Sequence, residues 1–241
     1  MGSNKYKLLN NLFIVTGGSN AYNLQVDGSD LDLLCLTDDN RFSRPITELN
    51  CGCKIYDNYS VIRCNKKQFT WLFDNSGYVH CWQWLYPKSF VIQNSFTNFI
   101  TTIRDSVLSA NRLSFYNSYL SYAYKCYDNL IPYYKVATKR VAYGMMFLDI
   151  LVRYAEGENP NSLFYQQDKR DYLVGIRNKQ IPVEEIFEGL SILLAKVKKL
   201  ESFYTEPTDK SSIQEFVDVV NSITFLDYDD YVKYNKKGES I

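Results

Sequence analysis

An α+β fold is predicted, with a small mixed sheet flanked by helices in residues 1–95 and a helical part in residues 96–241. Three observations predict it. Up to about residue 95, short apolar runs alternate with Gly, Asp and Asn turns, the punctuation of strands. From Phe96 the period changes, with Phe96, Phe99, Ile100, Ile103 and Val107 recurring at helical spacing. No internal repeat or low-complexity segment interrupts either part, and 241 residues can bury a sizeable core.

The elements follow in order. Leu12–Thr16 reads as a strand, Gly17-Gly18-Ser19 as a turn, and Ala21–Leu24 as the start of a short helix. After a second turn at Asp27-Gly28-Ser29, Leu31–Leu36 is a strong apolar strand, stopped by Thr37-Asp38-Asp39-Asn40. Cys53–Tyr56 and Tyr59–Cys64 read as strands, and Lys66–Phe73 as a helix. Beyond the boundary, residues 96–108, 115–126, 136–155, 168–176 and 182–203 carry helical periodicity. A last helix starts near Glu206-Pro207-Thr208-Asp209 and runs through Val220.

Composition excludes several classes. Hydrophobic residues make up 46% and charged residues 22%, ordinary for a globular protein. The formal net charge is zero, so no global field draws the chain to nucleic acid or to a membrane surface. None of the six cysteines forms a C-x-x-C pair, and His80 is the only histidine, which leaves no zinc-site spacing. The cysteines are therefore expected to be reduced and mostly buried. MGSNKYKLLNNLF lacks a secretory apolar run and no stretch reaches membrane-spanning length, so a cytoplasmic location without membrane contact is expected.

Chemistry concentrates in residues 17–36, GGSNAYNLQVDGSDLDLLCL. Asp30 and Asp32 flank Leu31. In a strand, residues i and i+2 share a face, so both carboxylates would project together while Leu31 and Leu33 face the core. Two like charges that close repel unless a cation sits between them. Mg²⁺ is held by such oxygen ligands, usually one or two carboxylates plus substrate phosphates. Upstream, Gly17 and Gly18 let the backbone approach a phosphate, and Ser19 adds a hydroxyl donor. No Gly-Lys-Ser/Thr follows, so this is not a Walker A loop.

This ordered pattern resembles the signature of the DNA polymerase β-like nucleotidyltransferase superfamily. More narrowly, Gly18-Ser19-Asn20-Ala21-Tyr22 and Ser29-Asp30-Leu31-Asp32 resemble the RlaP-type nucleotidyltransferases. The resemblance extends to SVIRCNKKQFTWL (60–72), Trp82–Tyr86, Thr138-Lys139 and DKRDYLVGIRNKQIPVEEI (168–186). It implies a nucleotidyltransferase core followed by a helical C-terminal domain. It implies transfer of a nucleoside monophosphate from a nucleoside triphosphate to an acceptor hydroxyl, with pyrophosphate released. Asp30 and Asp32 would be catalytic and metal-binding, with Asp57 as the third carboxylate; Asp57 beside Asn58 also reads as an ordinary turn residue. The cofactor implied is Mg²⁺, as two ions, with Mn²⁺ as the alternative. Gly18, Ser19, Ser29 and Lys139 would contact the nucleotide. The acceptor is left open between RNA, a protein and a small molecule, and the sequence does not specify an oligomeric state.

Four positions depart from the pattern. Asn23 stands where the family has glycine, Asn20 where many members have a basic residue, and Gln83 where a glutamate is expected. The arginine expected after Lys139 falls at Met145 or Met146. These departures carry the alternative reading, a nucleotide-binding or partner-binding module with little turnover. Elsewhere, the tyrosines of FYNSYLSYAYKCYDN (115–129) are expected to pack, and Lys196, Lys198 and Lys199 to form a solvated face.

Overall fold

The computed structural model describes residues 13–37, 53–56, 59–74, 79, 81–91, 93–159 and 167–223. The fold is α+β. Strands β1 (Phe13–Gly17), β2 (Leu31–Thr37), β3 (Cys53–Tyr56) and β4 (Tyr59–Asn65) form one sheet in the order β1-β2-β4-β3. β1 runs antiparallel to β2, β2 parallel to β4, and β3 antiparallel to β4, so the sheet is mixed as expected. Residues 89–91 cover the free edge of β1: Thr16 N–H donates to Ser89 O at 3.3 Å and Val91 N–H to Ile14 O at 3.0 Å.

Helices fill the rest. A single turn, α1 (Gly18–Ala21), follows β1, and α2 (Lys66–Asp74) follows β4. A 3₁₀ turn at Cys81–Trp84 precedes α3 (Ser95–Ala110), α4 (Arg112–Asp128) and α5 (Leu130–Val136). Then come α6 (Thr138–Ala155), α7 (Gln167–Arg177), α8 (Val183–Lys199), α9 (Glu201–Thr205) and α10 (Ser211–Ser222). The entry to α3 is a full capping box: Asn94 Oδ1 accepts the Thr97 N–H at 3.0 Å, and Thr97 Oγ1 accepts the Asn94 N–H at 2.8 Å.

Three expectations need correction. The short helix starts at Gly18 rather than Ala21, because Gly18 takes a positive φ of 57° and turns the chain directly out of β1. The helix expected over 182–203 is two, broken at Leu200, where φ −98° and ψ 6° leave the helical region. Leu31 does not face the core and is 37% exposed. The period of two puts Asp32 on one face with Leu34 and Leu36, which belong to the hydrophobic cluster, while on the face of Leu31 full burial begins only at Cys35.

One hydrophobic cluster joins the sheet to the helices. Phe216 of α10 packs on Phe69 and Phe73 of α2, with ring centroids 5.6 and 5.0 Å away. Trp82 meets Phe115 of α4 edge-on at 5.1 Å. Tyr119 stacks on Phe147 of α6 at 4.2 Å, so that tyrosine is core as expected. Each such pair adds about 0.5–1.5 kcal/mol beyond its buried area. Cys35, Cys64 and Cys126 are buried, while Lys196, Lys198 and Lys199 are exposed. No helix among the described residues is long and apolar enough to cross a membrane.

Candidate functional site

The register of the first two strands builds the site. Gly17 pairs with Asp32, so the turn at Gly18 lies directly over the Asp32 side chain. A Cβ at Gly18 would fall 1.6 Å from Asp32 Oδ2. Only glycine fits, both for this contact and for the positive φ. The Gly18 N–H donates to Gln83 Oε1 at 3.1 Å, across 65 residues of sequence. Gln83 is 2% exposed, so this neutral amide is a buried part of the site. Gln83 thus occupies the Gly18 amide from the protein side.

Asp32, Gly18 and Gln83 open onto a cavity of about 390 Å³ between the sheet and the helices. Leu34, Ile62, Leu72 and Trp84 form an apolar wall, and Tyr122 of α4 and Tyr143 of α6 close it. Ala137, Lys139 and Arg140 bring the start of α6 to the same cavity. No side chain caps that helix end, and while the Arg140 N–H donates to Ala137 O at 2.8 Å, the Thr138 and Lys139 N–H groups keep the partial positive charge of the helix start there. Lys139 Nζ lies 5.8 Å from the Tyr143 ring centre, and the Arg140 guanidinium 5.3 Å from that of Tyr133.

A second set of contacts fixes the loop between Gly18 and Asp32. From α7, Arg170 donates to Asn23 O at 3.0 Å and Gln25 O at 3.3 Å, while Arg177 donates to Leu24 O and to Ser29 Oγ. The Asn20 amide donates to Asp30 O at 3.2 Å. Asn23 has a φ of 57°, the left-handed region that asparagine tolerates better than most residues, so the departure from glycine keeps the turn. Burial holds the Tyr143 phenol above its ordinary range; Arg177 opposes this, and Asp32 and Asp30 add to it. Burial also lowers the Arg177 guanidinium, against the pull of Tyr143 and Asp30. Both carboxylates, Tyr143 and Arg177 thus share one electrostatic neighbourhood.

Of the residues the sequence singles out, Gly18, Asp32 and Lys139 line the cavity together. Asp30 precedes β2 and is exposed. Ser19 is 1% exposed, and its hydroxyl has no hydrogen-bond partner among the described residues. The Ser29 hydroxyl accepts the Val26 N–H at 2.9 Å and holds the loop. Asp57 and His80 lie outside the described residues. Met145 and Met146 are buried, and neither replaces the expected arginine in the cavity. Sequence reasoning missed Arg170, Arg177 and Tyr143. The spacing of seven that puts both arginines on one face of α7 was the available signal.

Of the candidate hard-cation donors, Asp32 lines the cavity, while Asp30 lies outside its lining at the exposed entry to β2. Among the described residues, no group of three or more His, Cys, Asp or Glu side chains gathers where it could hold a metal ion. No known protein family matches the chain, and no curated protein sequence matches it.

Proposed function

We propose that the protein transfers a nucleoside monophosphate group from a nucleoside triphosphate to an acceptor hydroxyl. The hydroxyl oxygen bonds the α-phosphorus, the α–β bridging bond breaks, and pyrophosphate leaves. The observation that carries this reading is the packing of Gly18 on the Asp32 carboxylate, in a cavity that Lys139 and Arg140 also line. A carboxylate and two cations lining one cavity of about 390 Å³ suit a ligand that has both a metal-binding and a phosphate end. Asp30 and Asp32, with Asp57 as third candidate, would hold Mg²⁺. Bound there, Mg²⁺ would supply charge neutralisation at the phosphoryl oxygens. Lys139 and Arg140 bind phosphate oxygens and orient the chain of phosphates. Leu34, Ile62, Leu72 and Trp84 exclude water from the apolar side of the ligand. Arg170 and Arg177 keep the loop, and so Asp30, in place.

A second reading is favoured by Gln83. A neutral amide stands where an acid is expected, and it already satisfies the Gly18 N–H, which suits binding with little turnover. One experiment separates the two. Label from α-labelled nucleoside triphosphates is followed into cellular RNA, protein and small molecules with Mg²⁺ present. Transfer that disappears in Asp30→Asn/Asp32→Asn establishes the enzyme and its acceptor class. Nucleotide binding without transfer establishes the second reading. Absence of both binding and transfer refutes the two together.

A further inference from the structure

The charge at the cavity is not what a carboxylate-rich metal site would carry. Among the described lining residues the ionisable groups of opposite sign are Asp32 against Lys139 and Arg140. Their neighbours Asp30 and Arg177 oppose each other electrostatically, so including them leaves the balance unchanged. Neither Lys139 nor Arg140 has a carboxylate partner among the described residues; their aromatic contacts leave their charges intact. The uncapped start of α6 adds partial positive charge on the same side. Gln83 preserves the cationic excess. It is buried, lines the cavity and fixes the glycine against Asp32, and it does so without adding a negative charge.

From this we infer that the cavity captures the polyphosphate of its ligand without needing a divalent cation, through Lys139, Arg140 and the start of α6, and that the neutrality of Gln83 makes this possible. The inference rests on the nucleotide reading above and adds to it a division of labour. Lys139 and Arg140 provide affinity for the anion, while the carboxylate pair and any metal serve the chemical step. Gln83 is here a positioning residue: it holds the Gly18 turn and keeps a second carboxylate away from the phosphates. A glutamate at this position could still accept the Gly18 N–H, but it would cancel the cationic excess. Orthophosphate shares the chemistry but carries fewer oxygens and less charge, so pyrophosphate and ATP bind more tightly.

The test is calorimetric titration of the full chain with pyrophosphate, ATP and orthophosphate at low salt, once in EDTA and once in Mg²⁺. The wild type binds pyrophosphate and ATP in EDTA, and orthophosphate more weakly. Gln83→Glu weakens pyrophosphate in EDTA by about tenfold or more, and Mg²⁺ recovers most of the loss. Lys139→Gln and Arg140→Gln each weaken it in both conditions, and they provide the reading if Gln83→Glu fails to fold. Pyrophosphate binding by the wild type only in Mg²⁺ overturns the inference and leaves the proposed function standing. So does a Gln83→Glu protein that binds like wild type in EDTA, or, should that variant not fold, unchanged binding in both cation variants. No binding of any of the three anions in either buffer overturns the inference and the nucleotide reading together.

Discussion

Replacing Gly18 with alanine tests the geometry on which the site depends. Two costs are legible. A non-glycine residue held at φ +57° loses about 1–2 kcal/mol to backbone strain. The added Cβ would also meet Asp32 Oδ2 at 1.6 Å and Asp32 Cγ at 2.6 Å, so the carboxylate has to leave its position. Forcing a side chain from its preferred rotamer costs about 0.5–1.5 kcal/mol. The sum is about 1.5–3.5 kcal/mol. Gly28 provides the control: its φ is +77°, yet a Cβ there meets nothing within 4 Å, so Gly28→Ala carries the strain alone. Urea unfolding followed by tryptophan fluorescence measures both. The difference between the two variants is the Asp32 contact, about 1 kcal/mol. Asp32→Ala shortens the opposing side chain to its Cβ, 3.0 Å from the added atom, and removes most of that difference when combined with Gly18→Ala. Equal losses for Gly18→Ala and Gly28→Ala, or strict additivity of Gly18→Ala with Asp32→Ala, would refute the reasoning. If the proposed function holds, nucleotidyl transfer by Gly18→Ala should fall about a hundredfold or more, since an ångström of misplacement at a reacting centre has that effect.

Asn23 sits at φ +57° with its carbonyl held by Arg170 and its side chain by Lys88 at 3.1 Å. Asn23→Gly should therefore change stability by no more than about 0.5 kcal/mol, whereas Asn23→Val should lose about 1–2 kcal/mol in the same urea assay. Alkaline pH should destabilise the fold. Burial raises the phenols of Tyr86, Tyr143 and Tyr204 above the ordinary 10.0 and pushes the Cys126 thiol up to about 12. An unfolded chain then loses protons at a pH where the folded one keeps them, so stability is full below pH 9 and falls as pH rises through 9–12. Ultraviolet titration of the tyrosines should show a late group that ionises only with the loss of far-ultraviolet circular dichroism. Smooth ionisation of every tyrosine near pH 10 in a folded protein would contradict this.

What the sequence made legible divides along the range of the interactions. The strand at Leu31–Thr37, the helix at Lys66–Asp74 and most of the later helices follow from local period and from turn residues, which act within a few positions. That Asp32 and Lys139 line one cavity is not legible locally, because the two positions lie more than a hundred residues apart. Leu31 was misread for a physical reason. Alternation fixes which residues share a face, but not which face of a central strand is covered at its open end. Gln83 was legible as a departure and not as a contact, because nothing local ties residue 83 to residue 18.

The arginines of α7 make the same point in the other direction. Arg170 and Arg177 reach carbonyl oxygens of Asn23, Gln25 and Leu24, about 150 positions upstream, and Arg177 also reaches the Ser29 hydroxyl. A backbone carbonyl has no sequence signature, so no motif search can find its partner. Yet these contacts hold the segment that links the glycine turn to the aspartates. With φ positive at Gly18, Asn23 and Gly28, that segment has three points where the chain could turn otherwise. Strand pairing fixes its two ends, Gly17 opposite Asp32, while the two guanidinium groups fix its middle. The spacing of the serine turn and the acidic pair therefore becomes a fixed distance in space only when the helical half of the chain is docked. On that argument the helical half is part of the site rather than an appendage to it.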